Sequence, residues 1–407
     1  MKRGTMTMDT TFMRLRKSTK GKRLSESDLF VDIDIEKSKL RYYKKLPEMY
    51  DIDGKLIVKG SRLEVQVQNA LLPSPGDAPI SITGGSAVIP ENHIRQSDMI
   101  VTAMMEGSAP NILKYIDQEP LRLMRGFAYS PDTILGNFDG TVRLQFPRLG
   151  ELPFNRISTQ VDAQISDFVL TKPVAGYRLD ANRLKLKATN EQIYVTGEAR
   201  INTVPVSVEW SEKMKNKGIN NNELKTIINI SAEVTETHLA ALNLDFLSSR
   251  IRGYVQADVT LLGSLNKFTL LEVTADLSKA NASFSPLNHI KPVNTPGMIK
   301  VRTDYGDKGR VKGALLDIDL ADFSTQIQFT YDDYITDLKI SPFVIKDKYN
   351  FSLSFGENED RYDISLQGKD FDISALTKPI DFGLPDGVLS SEKKGQSPFD
   401  WVNRLGE

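Results

Sequence analysis

The chain has 407 residues, with 52 basic and 53 acidic side chains, a formal net charge of −1 and a hydrophobic content of 40%. These values are typical of a folded protein with a sizeable core, and they exclude a whole-chain electrostatic field that would favour nucleic acid or anionic lipid. There is no cysteine, which excludes disulfides, thiolate metal sites and cysteine nucleophiles. The sequence contains neither an apolar run long enough for a transmembrane helix nor the apolar segment of a signal peptide.

Residues 1–24 are strongly basic, with eight lysines and arginines against a lone Asp9. Such a composition predicts a disordered arm. A contact with a membrane surface or with nucleic acid is the alternative. Phe12 is the single aromatic residue of this arm, which weakens the nucleic-acid alternative because single strands bind by stacking on aromatic rings.

From residue 25 onward the pattern indicates one β-strand after another. The clearest alternation runs from Arg250 to Leu262, where Ile251, Gly253, Val255, Ala257, Val259 and Leu261 share one side. A period of two predicts a strand with one apolar and one solvated face. A protein core, a protein partner and a lipid would all produce this pattern.

Turn signals between these strands predict antiparallel neighbours. The alternation changes phase at Asn202–Thr203, which indicates a turn or bulge. Polar segments at 188–191 and 356–360 predict hairpins joining strands on either side. Two short segments, Ser108–Ile116 and Thr235–Leu242, have helical spacing of apolar residues behind a capping residue.

The predicted fold is therefore all-β, an elongated, twisted and strongly curved antiparallel sheet (a β-groove) with a few short helices. The predicted organisation is a basic arm at 1–24, a first part of the groove at 25–150, a second part at 151–380 and a linker or tail at 381–407. The segment 211–222 reads as an exposed loop.

The residues that could carry chemistry do not form a recognisable motif. The three histidines, His93, His238 and His289, are far apart and have no metal-ligand partner at helical or turn spacing. Acidic pairs such as Asp317/Asp319 have the spacing of a solvated strand face. We therefore expect no enzymatic activity, no metal and no cofactor.

Several segments resemble the AsmA-like proteins of bacterial envelopes, in particular the YhdP-like branch, which is related to TamB. The segments that carry the resemblance are Glu119–Gly136, Tyr194–Trp210, Gly253–Leu261, Val273–Ala282, Lys291–Gly297 and Ile364–Leu376, and they follow the family order. The likeness spans about residues 25–380.

The resemblance implies a repeating β-groove that binds or conducts phospholipid acyl chains in the cell envelope. It also implies a periplasmic protein attached to the inner membrane by an N-terminal helix. From the charge balance we expect no nucleic-acid partner. This sequence differs from the pattern by lacking the anchoring helix and further repeats after residue 380. We therefore expect a fragment, a split reading frame or an internal start.

The candidate groove-lining residues are inward positions of the clearest strands, and they are equally candidates for an ordinary core. They are Val195, Ile201, Val206, Val208, Ile251, Val255, Val259, Leu261, Val273, Phe329, Phe351 and Leu353. Two functions remain open at this level. One is a lipid-binding or lipid-conducting groove, and the other is a non-catalytic structural or assembly module of the envelope with a packed β-sandwich core.

Overall fold

The computed structural model describes residues 6–7, 30–42, 46–94, 97–119, 121–124, 129–148, 156–174, 177–214, 226–264, 267–284, 289–306, 310–332, 334–358 and 361–370. The chain divides into two compact units. Unit 1 comprises Met1–Thr171, Ala181–Thr196 and Lys213–Gly218, and unit 2 comprises Lys172–Asp180, Gly197–Glu212 and Ile219–Glu407.

Unit 1 contains a meander of strands in which each strand pairs antiparallel with the next. The strands are β1 (Met6–Thr7), β2 (Phe30–Leu40), β3 (Met49–Lys59), β4 (Arg62–Leu72), β5 (Ile80–Ile89), β6 (Asp98–Ser108), β7 (Ile134–Pro147) and β8 (Ser158–Val174). Bulges interrupt the β2–β3 register at Lys37 and Asp51, which have φ values of 43° and 50°. Bulges of this kind increase the local twist of a sheet.

The one α-helix of unit 1 among the described residues, α1 (Ala109–Asp117), confirms the helix expected from sequence, and a short 3-10 helix lies at Pro131–Thr133. Ser108 is its N-cap, and the Ser108 hydroxyl accepts a hydrogen bond from the backbone N–H of Asn111. The helix is amphipathic, and Tyr115 packs with Leu72 and Ile80 in a buried cluster. The helix therefore covers part of the apolar face of the meander.

Strands β9 (Tyr177–Thr189) and β10 (Gln192–Ile201) form the hairpin predicted across residues 188–191, and they contain residues of both units. The phase change predicted at Asn202–Thr203 is also confirmed, since these two residues form the turn between β10 and β11 (Val204–Lys213). Asn202 takes a φ of 55°, a conformation that asparagine tolerates well.

Unit 2 contains a second antiparallel meander and a small separate sheet. Its strands after β11 are β12 (Thr226–Val234), β13 (Ile251–Gly253), β14 (Val255–Ser264), β15 (Lys267–Asp276), β16 (Ala280–Phe284), β17 (His289–Lys291), β18 (Gly297–Tyr305), β19 (Val311–Leu320), β20 (Phe323–Asp332), β21 (Tyr334–Ile345), β22 (Tyr349–Asn358) and β23 (Arg361–Asp370). The main sheet pairs in the order β11–β12–β14–β15–β18–β19–β20–β21–β22–β23, and β13, β16 and β17 form the small sheet. Two short helices, α2 (Glu236–Ala241) and α3 (Asp245–Ser248), precede β13, and α2 confirms the second predicted helix.

The interpretation of 250–262 as a single strand is wrong. The chain breaks at Tyr254, so that Ile251 and Gly253 belong to the small sheet while Val255 begins β14 of the main sheet. Gly253 has a φ of 111°, and a Cβ at this position would lie 2.7 Å from the carbonyl oxygen of Lys279. The glycine therefore permits a close backbone approach at a sheet junction, rather than leaving room for a ligand.

The small sheet buries two basic side chains. The Nζ of Lys291 donates hydrogen bonds to the carbonyl oxygens of Leu277, Ala280 and Pro292 at 2.8, 3.0 and 2.9 Å. The His289 ring lies 6.2 Å from Phe284 and 5.8 Å from Phe323, measured between ring centroids. Burial lowers the pKa of both side chains.

The all-β, antiparallel fold class with a few short helices is confirmed. Several sequence predictions fall on residues that the structure does not describe. They are the tail at 381–407, the arm at 1–24 apart from Met6–Thr7, residues 215–222 of the predicted exposed loop, and residues 359–360 of the last hairpin turn. The domain boundaries at residues 150 and 380 stay predictions.

Candidate functional site

A continuous line of aliphatic side chains crosses the main sheet of unit 2. Because directly opposed residues of an antiparallel pair lie on the same face, the strand registers connect one side chain per strand into this line. We call it the central apolar row. Its members, from β11 to β23, are Val208, Ile230, Val259, Val273, Val301, Leu316, Ile327, Ile340, Leu353 and Leu366.

The row is perpendicular to the strands and runs in the hydrogen-bonding direction of the sheet. At ~4.8 Å between neighbouring strands, its ten strands span roughly 43 Å along the sheet. This length exceeds the ~30 Å hydrocarbon thickness of a bilayer. A path of this length is available within unit 2 alone.

The opposite face of the same strands is polar. Each member of the central apolar row has a neighbour in sequence on this face, and the registers connect these neighbours into a second line. They are Glu209, Asn229, Thr260, Glu272, Arg302, Leu315, Gln328, Lys339, Ser354 and Ser365. Neighbours on this face bind one another: Arg302 forms a 3.0 Å ion pair with Glu272. Nine of these ten residues are polar and seven are exposed, with Leu315 as the apolar exception. This face is therefore the more solvated one.

Burial along the central apolar row is incomplete. Ile340 is buried, Leu366 is exposed, and the other eight members are only partly buried. Packed protein cores bury such side chains fully and leave few voids. The middle of this face therefore lacks a complete cover of protein side chains from the described part of the chain.

Two buried clusters lie mainly on either side of the row, and the second includes the row member Ile340. The row members Val259, Val273, Ile327 and Leu353 pack against them. One cluster contains Leu261, Phe268, Leu271, Tyr305 and Val311, and the other contains Leu320, Phe323, Ile340, Phe343 and Ile345. Burial raises the pKa of the Tyr305 phenol. The clusters stabilise the sheet, while the row between them stays partly accessible.

Unit 1 has a shorter line of the same kind. Its registers connect Ile33, Leu56, Val65, Ala87, Val101, Leu144 and Thr159 across β2 to β8. Ile33 is buried and the other six are partly buried. Each unit therefore carries one partly covered apolar face.

The structure brings several of the residues predicted from sequence together. Val208, Val259, Val273 and Leu353 are members of the central apolar row. Leu261 and Phe329 lie on one side of the row, each two residues along its strand from a row member. The same face holds Val255 and Phe351 on the other side of the row.

The remaining predicted residues are not members of the row. Val206 is buried on the same face of β11, two residues before the row member Val208. Val195 and Ile201 lie on β10, outside the ten strands of the row. Ile251 belongs to the small sheet. Sequence reasoning missed six row members, Ile230, Val301, Leu316, Ile327, Ile340 and Leu366, because alternation gives the face of a residue but not its partner on the next strand.

The described residues give little support for a metal site or for a membrane-spanning helix. Within these, no three or more histidine, aspartate or glutamate side chains are placed to share a metal ion. An open depression of about 550 Å³ in unit 1 is lined by polar and aliphatic residues, including Asp51, Asn69 and Ser81. In the part of the chain that the structure describes, no helix is both long and apolar enough to cross a bilayer.

Comparisons with known proteins give one match. The family model described as YhdP protein matches residues 2–404, nearly the whole chain. No curated protein and no solved structure matches the chain.

Proposed function

Because the chain belongs to the YhdP protein family, we propose that it binds or conducts phospholipid acyl chains along an apolar β-groove in the bacterial cell envelope. Family membership suggests an envelope protein of the lipid-transport type. The finer assignments, namely phospholipid as the ligand, the periplasm as the compartment and attachment to the inner membrane, are part of the proposal.

The observation that carries the proposal is the partial burial of the central apolar row. Eight of its ten aliphatic side chains are partly buried although buried clusters lie on both sides. Covering apolar surface is favourable by about 25 cal/mol per Å², or ~0.8 kcal/mol for each buried CH₂ group. An acyl chain lying along the row would bury apolar surface of its own and apolar surface of the row, and both would stabilise the complex.

The uniform chemistry of the row favours a ligand without polar recognition groups. A substrate pocket of an enzyme has a few converging polar groups among its apolar walls. The row consists of valine, isoleucine and leucine on ten successive strands, which suits a flexible hydrocarbon chain that can bind in many registers. The acyl chain could then move along the groove without crossing a large energetic barrier.

A test compares charges placed on the two faces of neighbouring strands. Val259→Asp places a carboxylate in the central apolar row on β14. The control, Thr274→Asp on β15, places one on the polar face between Asp258 and Lys300, one charge of each sign. We expect Val259→Asp to reduce co-purified phospholipid at least several-fold, measured by native mass spectrometry, and Thr274→Asp to leave it near the parent level.

Circular dichroism and thermal unfolding would show that both variants keep the fold. Parent protein that is free of lipid and takes up none from vesicles would contradict the proposal. It would favour the alternative function, a structural or assembly module of the envelope. The buried clusters beside the row are the feature that this alternative explains best.

A further inference from the structure

Two further rows of side chains flank the central apolar row on the same face of the main sheet of unit 2. Each lies two residues along the strands from the central apolar row, or three residues at the bulge in β21. From β14 to β21, the row on one side, which we call the Leu271 row, consists of Leu261, Leu271, Thr303, Ala314, Phe329 and Leu338. The row on the other side, which we call the Ile299 row, consists of Ala257, Ala275, Ile299, Ile318, Thr325 and Phe343.

The burial of the two flanking rows reverses between β19 and β20. From β14 to β19, the members of the Leu271 row are buried, whereas the members of the Ile299 row are only partly buried. On β20 and β21 the members of the Ile299 row, Thr325 and Phe343, are buried, whereas Phe329 and Leu338 of the Leu271 row are partly buried. The partly covered surface therefore lies on one side of the central apolar row before the reversal and on the other side after it.

Aromatic rings help to close the buried side in each part. Phe268 and Tyr305 belong to the buried cluster beside the Leu271 row. Beside the Ile299 row, the Phe343 ring lies 5.2 Å from Phe323 and 4.7 Å from Phe351, measured between ring centroids. Large rings cover much apolar surface, so each cluster removes its neighbouring flanking row from contact with a ligand.

We propose that acyl chains follow an oblique lane across this face. From β14 to β19 the lane covers the central apolar row and the Ile299 row, and on β20 and β21 it covers the central apolar row and the Leu271 row. The middle of the lane shifts by two residues, roughly 7 Å along the strands. The inference rests on the proposed lipid-binding function, because it specifies where on the apolar face the acyl chains lie.

The burial of one member of the central apolar row explains why the lane needs the second side. An acyl chain gains free energy by covering apolar surface that is still accessible, and a side chain that is already buried offers little. Ile340 on β21 is buried, so the central apolar row alone is interrupted there. Leu338 is its partly buried neighbour on the same face, whereas Phe343 on the other side is buried. A chain can therefore continue past Ile340 on the side of Leu338.

The lane is narrowest where it changes sides. The central apolar row is common to both parts, so the crossing passes over Leu316 on β19 and Ile327 on β20, which lie opposite each other in register. Next to this crossing, Ala314 and Thr325 are buried on the two closed sides. The lane is two rows wide in each part and one row wide at the crossing.

Single cysteines in the full chain test the lane, because the chain has none of its own. Ala257→Cys and Leu338→Cys place a thiol on the first and second parts of the lane, and Ala314→Cys and Thr325→Cys place one on the closed side of each part. We expect N-ethylmaleimide to label the two lane variants in delipidated protein, and to label them at least several-fold more slowly after loading from phosphatidylglycerol vesicles. The two closed-side variants should react slowly with or without lipid.

Photo-crosslinking of the parent chain gives a second measurement that does not depend on a substitution. A phosphatidylglycerol with a diazirine in its acyl chain should cross-link to Ile299, Ile318 and Leu338, identified by peptide mass spectrometry, and not to Leu261 or Phe343. Lipid-bound protein that cross-links equally to both flanking rows along their whole length, or whose lane cysteines are not protected, would overturn the lane and leave the proposed function standing. Parent protein that takes up no lipid in native mass spectrometry would overturn both.

Discussion

At the scale of single residues, the small sheet of unit 2 accommodates two buried basic side chains in different ways. Lys291 satisfies three backbone carbonyl groups, so the buried ammonium has hydrogen-bond partners in three directions. His289 packs instead against two phenylalanine rings. A buried polar group without partners is costly, and the two residues reduce this cost in different ways: one by bonding, the other by staying neutral.

The lowered pKa of His289 makes stability depend on pH. Desolvation by burial is the main cause, the charge of Lys348 lowers the pKa further, and the charge of Asp322 opposes both. As pH falls below about 6.5, the unfolded chain binds a proton before the folded chain does, so folding stability decreases. Between pH 7.5 and 5.5 this loss is at most ~1.4 kcal/mol for one histidine.

His289→Phe keeps an aromatic ring but removes the titrating group. We expect urea unfolding at pH 7.5 and 5.5, followed by tryptophan fluorescence, to show a smaller loss of stability at low pH in this variant than in the parent. An equal loss in the two proteins would show that other groups account for the pH dependence.

At the scale of elements, the break between β13 and β14 determines how the two sheets of unit 2 meet. The sequence alternates through this break, but the backbone at Gly253 has a positive φ and lies close to the carbonyl of Lys279. A side chain at this position would be strained by the positive φ and would clash with the carbonyl oxygen of Lys279. The element boundary therefore depends on a single residue without a Cβ atom.

Gly253→Ala tests this boundary. We expect a loss of at least ~1 kcal/mol in stability, because alanine is strained at this φ and its Cβ would clash with backbone. Gly84→Ala is a suitable control, since a Cβ there would meet only the Met104 sulfur at 3.6 Å. Thermal unfolding of both variants measures the difference, and equal stability of the two would contradict this account of the boundary.

At the scale of the whole molecule, the central apolar row links ten strands that are spread over residues 204–370. If acyl chains lie along the row, substitutions at separate positions should have the same effect. Leu316 lies three strand spacings from Val259, roughly 14 Å along the sheet. Leu316→Asp should reduce lipid binding as Val259→Asp does.

The neighbouring Leu315 provides a control of the same residue type on the opposite face, where its register partner is Arg302. Leu315→Asp should leave lipid binding near the parent level. Native mass spectrometry of the two variants makes the comparison. Loss of lipid with Val259→Asp but not with Leu316→Asp would indicate a local pocket rather than a continuous path.

The sequence by itself determined the local structure of this protein. A period of two marks strands whether or not their neighbours are known, because successive side chains point to opposite sides of the backbone. The capping serine before α1 and the turn at Asn202–Thr203 act within a few residues, so they too could be predicted. The antiparallel, all-β fold class followed from such local signals.

Only the tertiary structure decided how these strands combine. The central apolar row depends on nine separate registers, and the alternation within a strand does not determine which residue of the next strand lies opposite. The assignment of Ile251 to the small sheet depends on a backbone approach between Gly253 and Lys279, which are 26 residues apart in sequence. The partial burial of the row was equally beyond the sequence, because alternation indicates that a face avoids water without indicating what covers it.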